Sequence, residues 1–251
     1  MPRSAATGRV ASAARTAAGT RFTNRDFASC LGFNGTTAYV DVANLSSSSI
    51  GASDFSISAW VRTTDKVNIL TILGTNWSGS LSLELRISAG VVNLLDRSSA
   101  GSPLTGVKKV SDGQWHHLVG LRIGTTRYIY IDGALDTSGA DNGDNLNGSS
   151  RLGLGVNLNS ASAAIAATYF IGSIDEIQLY TTGLTLTQVQ KLYYEGGTVA
   201  GATLIGYWKF DNGSGTSATD SSGGANTGTL SGSTLPTWNT NVVSVARSVV
   251  V

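Results

Sequence analysis

The chain has one cysteine, Cys30, in 251 residues. A lone thiol excludes an intramolecular disulfide and a cysteine-built zinc site. Its setting in "FASCLGF" reads as a small buried hydrophobe. Charged residues make up only 13% of the chain, about half the usual share. Gly, Ser, Thr and Asn fill the gap, a neutral polar surface that suits extracellular or virion proteins. No apolar run approaches the roughly 18 residues needed to span a bilayer. Histidines number two, His116 and His117. Adjacent strand residues face opposite ways, so the pair is a poor metal site and reads as structural.

Acid is missing from the first 25 residues, which hold Arg3, Arg9, Arg15, Arg21 and Arg25; the first carboxylate is Asp26. That arm carries +5. The rest has 12 basic against 16 acidic side chains, a net of −4. A cationic arm on an anionic body suits docking on a neighbouring copy, an acidic partner or phosphate. The first four arginines recur every six residues, which keeps them on one side of an extended strand. No aromatic residue interleaves before Phe22, so stacking on single-stranded nucleic acid is not supported, and specific nucleic-acid binding is not expected. The arm also lacks the uninterrupted apolar stretch of a secretory signal. In being Arg- and Ser-containing and acid-free it has the look of an organellar transit peptide; a solvated tail is the plain alternative.

Carboxylates paired for glycoside hydrolysis are missing too. Such chemistry needs two acids about 5 Å apart in a retaining enzyme. Glu84 in "LSLELRIS" is solitary. Asp175 and Glu176 are neighbours and are expected on opposite faces of a strand. The reading is non-enzymatic.

What is present is strand after strand. "FSISAWVRT" alternates Phe55, Ile57, Ala59 and Val61 against Ser56, Ser58, Trp60 and Arg62. "LSLELRIS" sets Leu81, Leu83, Leu85 and Ile87 against Ser82, Glu84, Arg86 and Ser88. Period two describes a sheet with one buried face. "GVVNLLD", "WHHLVGLRIG" and "RYIYIDG" continue it. Asp132-Gly133 marks a hairpin, since glycine accepts the positive φ of the turn. Frequent strands with Gly-rich turns predict a β-sandwich. One short helix is expected in "LTLTQVQKLYYEGG". Thr185 and Gln188 have capping-box spacing, Leu186, Val189, Gln190 and Tyr193 share a side, and Gly196 or Gly197 ends it. Its apolar side is expected to close one end of the sandwich. Residues 136–165 read as loop-rich.

Five segments in order resemble the laminin-G-like branch of the concanavalin A-like lectin/glucanase superfamily. They are "LGFNGTTAYVDV" (31–42), "FSISAWVRT" (55–63), "DGQWHHLVG" (112–120), "YIYIDG" (128–133) and "FIGSIDEIQLYTTGLTLTQVQKLY" (170–193). The resemblance implies an all-β antiparallel two-sheet jelly roll with one short helix. In that family a segment like "GYWKFDNGSGTSATDSSGGANTGTL" usually comes first; here it comes last. The chain resembles a circular permutant, with the family's first strand supplied by 204–210. That gives an extended Arg-rich arm over 1–27, a jelly roll over 28–240 and an apolar β tail over 241–251. The strand at 204–210 is expected to pair within its own chain. The tail "NVVSVARSVVV", a sticky edge if left alone, is expected to pair with a neighbouring subunit.

The resemblance also suggests a structural calcium ion. Asp175 matches an acid that holds one in some superfamily members, and the fold would bring Asp211 and Asp220 near it. The plain alternative is that Asp211 and Asp220 shape turns. For sugar stacking, Trp60, Trp115 and Trp208 sit in strand patterns and read as core. Trp77 in "GTNWSGS" and Trp238 in "LPTWNTN" read as turn residues and are the candidates. Together these features predict a non-catalytic structural or assembly protein, best a bacteriophage head decoration or fibre protein or an extracellular filament component. Its partners would be copies of itself or another capsid or fibre protein. The alternative is a glycan-binding, lectin-like surface adhesion module.

Overall fold

The structure, a computed structural model, describes residues 20–25, 28–43, 45, 51, 53–77, 81–97, 102–141, 143, 146, 151–159, 161, 163–240 and 245–250. The first strands in chain order are β1 (Thr20–Arg25), β2 (Cys30–Asn34), β3 (Tyr39–Val42), β4 (Phe55–Arg62), β5 (Ile69–Trp77) and β6 (Leu81–Ser88). Then come β7 (Val91–Arg97), β8 (Leu104–Lys109), β9 (Trp115–Ile123), β10 (Thr126–Ile131), β11 (Ala134–Ala140) and β12 (Leu152–Leu154). After β13 (Ile171–Tyr180) follow helix α1 (Leu186–Tyr194), β14 (Leu204–Trp208), β15 (Ser217–Ala218), β16 (Gly228–Ser231), β17 (Thr237–Asn239) and β18 (Val245–Val250).

Two antiparallel sheets form a jelly-roll sandwich. One runs β11-β10-β9-β4-β13-β2-β17, with β14 also paired to β13. The other runs β15-β16-β3-β12-β5-β6-β7-β8. The inward residues of the period-two strands, Phe55, Ile57, Leu85, Ile87 and Leu118 among them, are fully buried in the shared core. The sheets approach closely at Gly120, where a Cβ would stand 2.9 Å from both Leu85 and Leu94.

The strand from the end of the chain completes the first sheet in its own molecule. β13 pairs with β2 through Ile171–Ile174 and with β14 through Ile177–Tyr180. β16 then joins the second sheet on β3, and β17 returns to β2. Trp208 is fully buried and its indole N–H donates to the Asn226 carbonyl at 2.9 Å.

Three expectations need correction and one is refined. Helix α1 does not cap an end of the sandwich but covers the outer face of the first sheet. Val189 and Leu192 are buried there against Val119, Leu121 and Tyr180, while Leu186 is 48% exposed. The helix also explains why β4 is buried on both faces: Trp60, in a small cluster with Cys30 and Trp115, stacks on Tyr193 with centroids 5.7 Å apart. Second, the loop-rich stretch is refined: β12 and most of β11 form inside it, because partners β10, β3 and β5 complete their backbone hydrogen bonds. Third, the tail strand β18 pairs with β1 of the same chain, Arg21 opposite Val249 and Arg25 opposite Val245. Fourth, Trp77 and Trp238 lie in β5 and β17, not in turns.

Candidate functional site: a groove at one end of the sandwich

Three connections meet at the end of the sandwich where β2 turns into β3 and β4 into β5. Asn34 Oδ1 accepts the backbone N–H groups of Thr36, Thr37 and Ala38, each at 3.0 Å. Gly35 has φ +76°, and a Cβ there would lie 2.9 Å from Ile171 Cβ. Asp65 Oδ1 accepts from Val67 N and Asn68 N at 2.8 Å, and Oδ2 from Asn68 Nδ2 at 2.7 Å. Partial burial works against the charge on Asp65, but those hydrogen bonds outweigh it and hold the carboxyl below its ordinary range. The third wall is the turn of 3-10 helix at Ala166–Thr168, fixed where Thr168 Oγ1 donates to the Ile165 carbonyl and accepts from Asn157 N–H.

Between these walls lies a groove of about 280 Å³, lined by Asn34, Thr36, Asp65, Asn68, Tyr169 and Ile171 among others. Tyr169 is half-buried, and Tyr39 backs it with ring centroids 6.3 Å apart. Burial, with the neighbouring Tyr39 second, raises the Tyr169 phenol, so it stays neutral and can donate. Two residues along β3, Asp41 takes a forked contact from Arg151. An aromatic ring beside amides, a hydroxyl and a charged carboxylate can hold a polyhydroxylated ring. The apolar C–H face meets the tyrosine and the hydroxyls meet the polar rim.

A second groove of about 270 Å³ lies across the 64–68 loop, lined by Lys66, Ala89, Gly90, Lys109, Ser111 and Asp112. Val67, in the same loop, is 83% exposed.

The residues singled out in the sequence lie elsewhere. Asp175 is buried in β13 opposite Trp60. Asp211 is exposed. Asp220 accepts four hydrogen bonds, from Tyr207 N, Ser222 N, Ser222 Oγ and Asn226 N, which shape a turn and tie it to β14. Among the described residues no group of three or more His, Cys, Asp or Glu side chains is arranged to hold a metal, so the three acids expected to share calcium are not gathered. A register shift between Asp175 and Gln178, with Glu176 at φ +52°, overturns the simple alternation expected there. Tyr207 OH donates to Glu176 at 2.5 Å. Glu84 is buried and held by Thr71 and Arg86. His116 and His117 point to different partners, Asp132 and Ser58.

Trp238 packs on the main core and donates its indole N–H to the Gly215 carbonyl at 2.8 Å. The side chain of Trp77 lies outside the described residues, as do those of Arg21 and Arg25 and the whole of Arg3, Arg9 and Arg15. Sequence reasoning missed Tyr39, Tyr169, Asp65 and Asn68. Nothing local indicated that residues 34–36, 65–68 and 166–169 would meet.

Two antiparallel sheets in this order, with one helix outside, define a lectin-type jelly roll. The chain belongs to the concanavalin A-like lectin/glucanases superfamily, whose laminin-G-type profile matches residues 34–190. No curated protein matches the chain in sequence. Solved structures share the fold at low identity. A putative carbohydrate-binding protein from Bacteroides ovatus is 16% identical over 89% of this chain, with TM-score 0.62; the chain spans 60% of that protein's length. A heptameric SAP-like pentraxin from Limulus polyphemus is 13% identical, covers 69% of this chain and 87% of its own, and has TM-score 0.56. Domain 4 of an extracellular arabinanase from Geobacillus stearothermophilus, solved with arabinotriose, is 22% identical over 69% of this chain and 81% of its own, with TM-score 0.53.

Proposed function

We propose that the protein is a non-catalytic glycan-binding module that takes an oligosaccharide in the groove beside Tyr169. The observation that carries this is the juxtaposition of that half-exposed ring with Asn34, Asp65 and Asn68 in one concave site. Such a site needs few polar groups if they are fixed; the Asn34 side chain is held by four hydrogen bonds and the Asp65 side chain by three to their own loops. Structural relatives include one described as a putative carbohydrate-binding protein and one solved with arabinotriose, which supports the same reading. The test is a broad panel of immobilised polysaccharides, arabinans included, probed with the native chain and with Tyr169→Ala. Binding of the native chain to some glycan, lost in the variant with an unchanged melting temperature, is expected. An empty panel would remove the reading.

A second role, in assembly on a virion or an extracellular filament, draws support from one feature. Among the described residues, strands β1 and β18 form a two-stranded ribbon that joins neither sheet of the sandwich. Isolated two-stranded ribbons are marginal in water, so a partner's strand or surface would stabilise this one. Removing residues 1–27 and comparing mass by light scattering tests it. Identical monomers would exclude assembly through the ribbon.

A further inference from the structure

We propose that the ligand is an acidic oligosaccharide that crosses the 64–68 loop and places an anionic substituent between Lys66 and Lys109. This rests on the glycan reading and specifies its chemistry. Asp65 faces the aromatic groove while the next residue, Lys66, faces the second one. A chain of sugars seated on Tyr169 and passing over Val67 therefore reaches a differently charged surface. The chemistry there is cationic. Lys108, the neighbour of Lys109, is neutralised by Asp132 at 2.8 Å. Lys109 instead donates to the Ala89 carbonyl at 2.6 Å, a contact that orients the ammonium, and it forms no ion pair among the described residues. Lys66 is exposed and forms no ion pair among the described residues. The groove's one acid, Asp112, lies 3.2 Å from His116 Nε2.

Two lysines against one acid leave net positive charge in a concave site about as large as its neighbour. That arrangement attracts a carboxylate or sulfate more than a hydroxyl. Gly90 at φ +79° lets the turn lie against Lys109, with the position of a Cβ 3.4 Å from Lys109 Cδ. The lysine stem is thus braced by the backbone of the hairpin.

The shared chemistry is an anion on a sugar, from a uronate or a sulfate ester. The experiment measures binding of the full chain to polygalacturonate, its methyl-esterified form, dextran sulfate and neutral arabinan. The native protein is compared with Lys66→Gln, Lys109→Gln and the double variant. The expected result is preference for one of the acidic polymers, lost on esterification if the carboxylate is read. Each single variant should weaken that binding roughly tenfold and leave neutral binding unchanged. Preference for dextran sulfate over polygalacturonate assigns the sulfate. Equal affinity for acidic and neutral polymers overturns the proposal while the glycan site stands. Acidic binding that the double variant retains in full also overturns it, and assigns the attraction to the arginines of the first 25 residues. Loss of neutral binding in Tyr169→Ala alone tests the underlying reading separately.

Discussion

His116 lies between two carboxylates: its Nδ1 is 2.8 Å from Asp132 and its Nε2 3.2 Å from Asp112. Burial opposes its charge, but hydrogen bonds and charge from Asp132 and then Asp112 outweigh that and raise its pKa above 6.5. Asp132 is likewise opposed by burial, yet His116, Lys108 and the His117 N–H bring it down from 3.8 to about 2.

The two shifts bound a pH window of stability. The His116 contribution is complete below 6.5 and is lost as pH rises through its higher folded value. The Asp132 contribution is complete above 3.8 and is lost as pH falls through about 2. Melting temperature should therefore be highest between roughly pH 4 and 6.5. Asp132 has φ +54° at its hairpin turn, a conformation asparagine also accepts. Asp132→Asn should keep the turn, cost about 2 kcal/mol at pH 6 and flatten the profile on both sides. Urea titrations of both proteins from pH 3 to 9 measure this.

A buried charge cluster at the opposite end of the sandwich behaves in the other direction. Arg127 Nη1 lies 3.1 Å from Asp96, and Arg122, wholly buried, lies 3.4 Å from Asp141. Burial first, and the charge of Asp141 next, push Asp96 up to about 7 despite both arginines. Between 3.8 and about 7 the folded protein holds a proton that the unfolded chain has released, so stability falls as pH rises through that range. Asp96→Asn mimics the protonated acid. It should be at least as stable as the native chain at pH 8, whereas Arg122→Met should lose about 3 kcal/mol or more by leaving buried acids uncompensated. Denaturation at pH 5 and pH 8 separates the two; a large loss in Asp96→Asn at pH 8 would contradict the assignment.

Ala89 occupies the left-handed region at φ +50°, next to Gly90 in the hairpin joining β6 and β7. The Cβ there costs about 1 kcal/mol. Ala89→Gly should raise the urea midpoint by a corresponding amount, less the entropy that glycine adds to the unfolded chain.

Tyr39 supports Tyr169 without lining the groove. Tyr39→Ala should therefore weaken glycan binding by a smaller factor than Tyr169→Ala, about threefold, and Tyr39→Phe should change it little. Isothermal titration with the glycan that the panel identifies gives the comparison. An equal loss in both alanine variants would mean that Tyr39 touches the ligand itself.

Local patterns were legible wherever one interaction range decides the outcome. The Thr185 and Gln188 capping box forms as read, because both partners lie within one helical turn. Gly196 at φ +73° follows the helix end for the same reason. The Asp132-Gly133 hairpin and the strands β4 and β6 also form where local pattern puts them, but the side of β4 read as outward is buried too, because α1 packs there. Errors began where an element depends on what covers it. Trp238 sits among turn residues in sequence, but Leu31 of β2 stands opposite and makes it a strand. Asp175 and Glu176 escape simple alternation because a bulge against β4 inserts a residue.

Chain order, charge split and strand periodicity were thus settled by the order of residues alone, since backbone pleat and Coulomb sums need no partner. The groove was not. Asn34, Asp65 and Tyr169 are separated by 31 and 104 positions, and each is an ordinary turn or strand-end residue in its own neighbourhood. Only closure of the two sheets, driven by burial of their facing sides, carries the three connections to one end and makes a site of them.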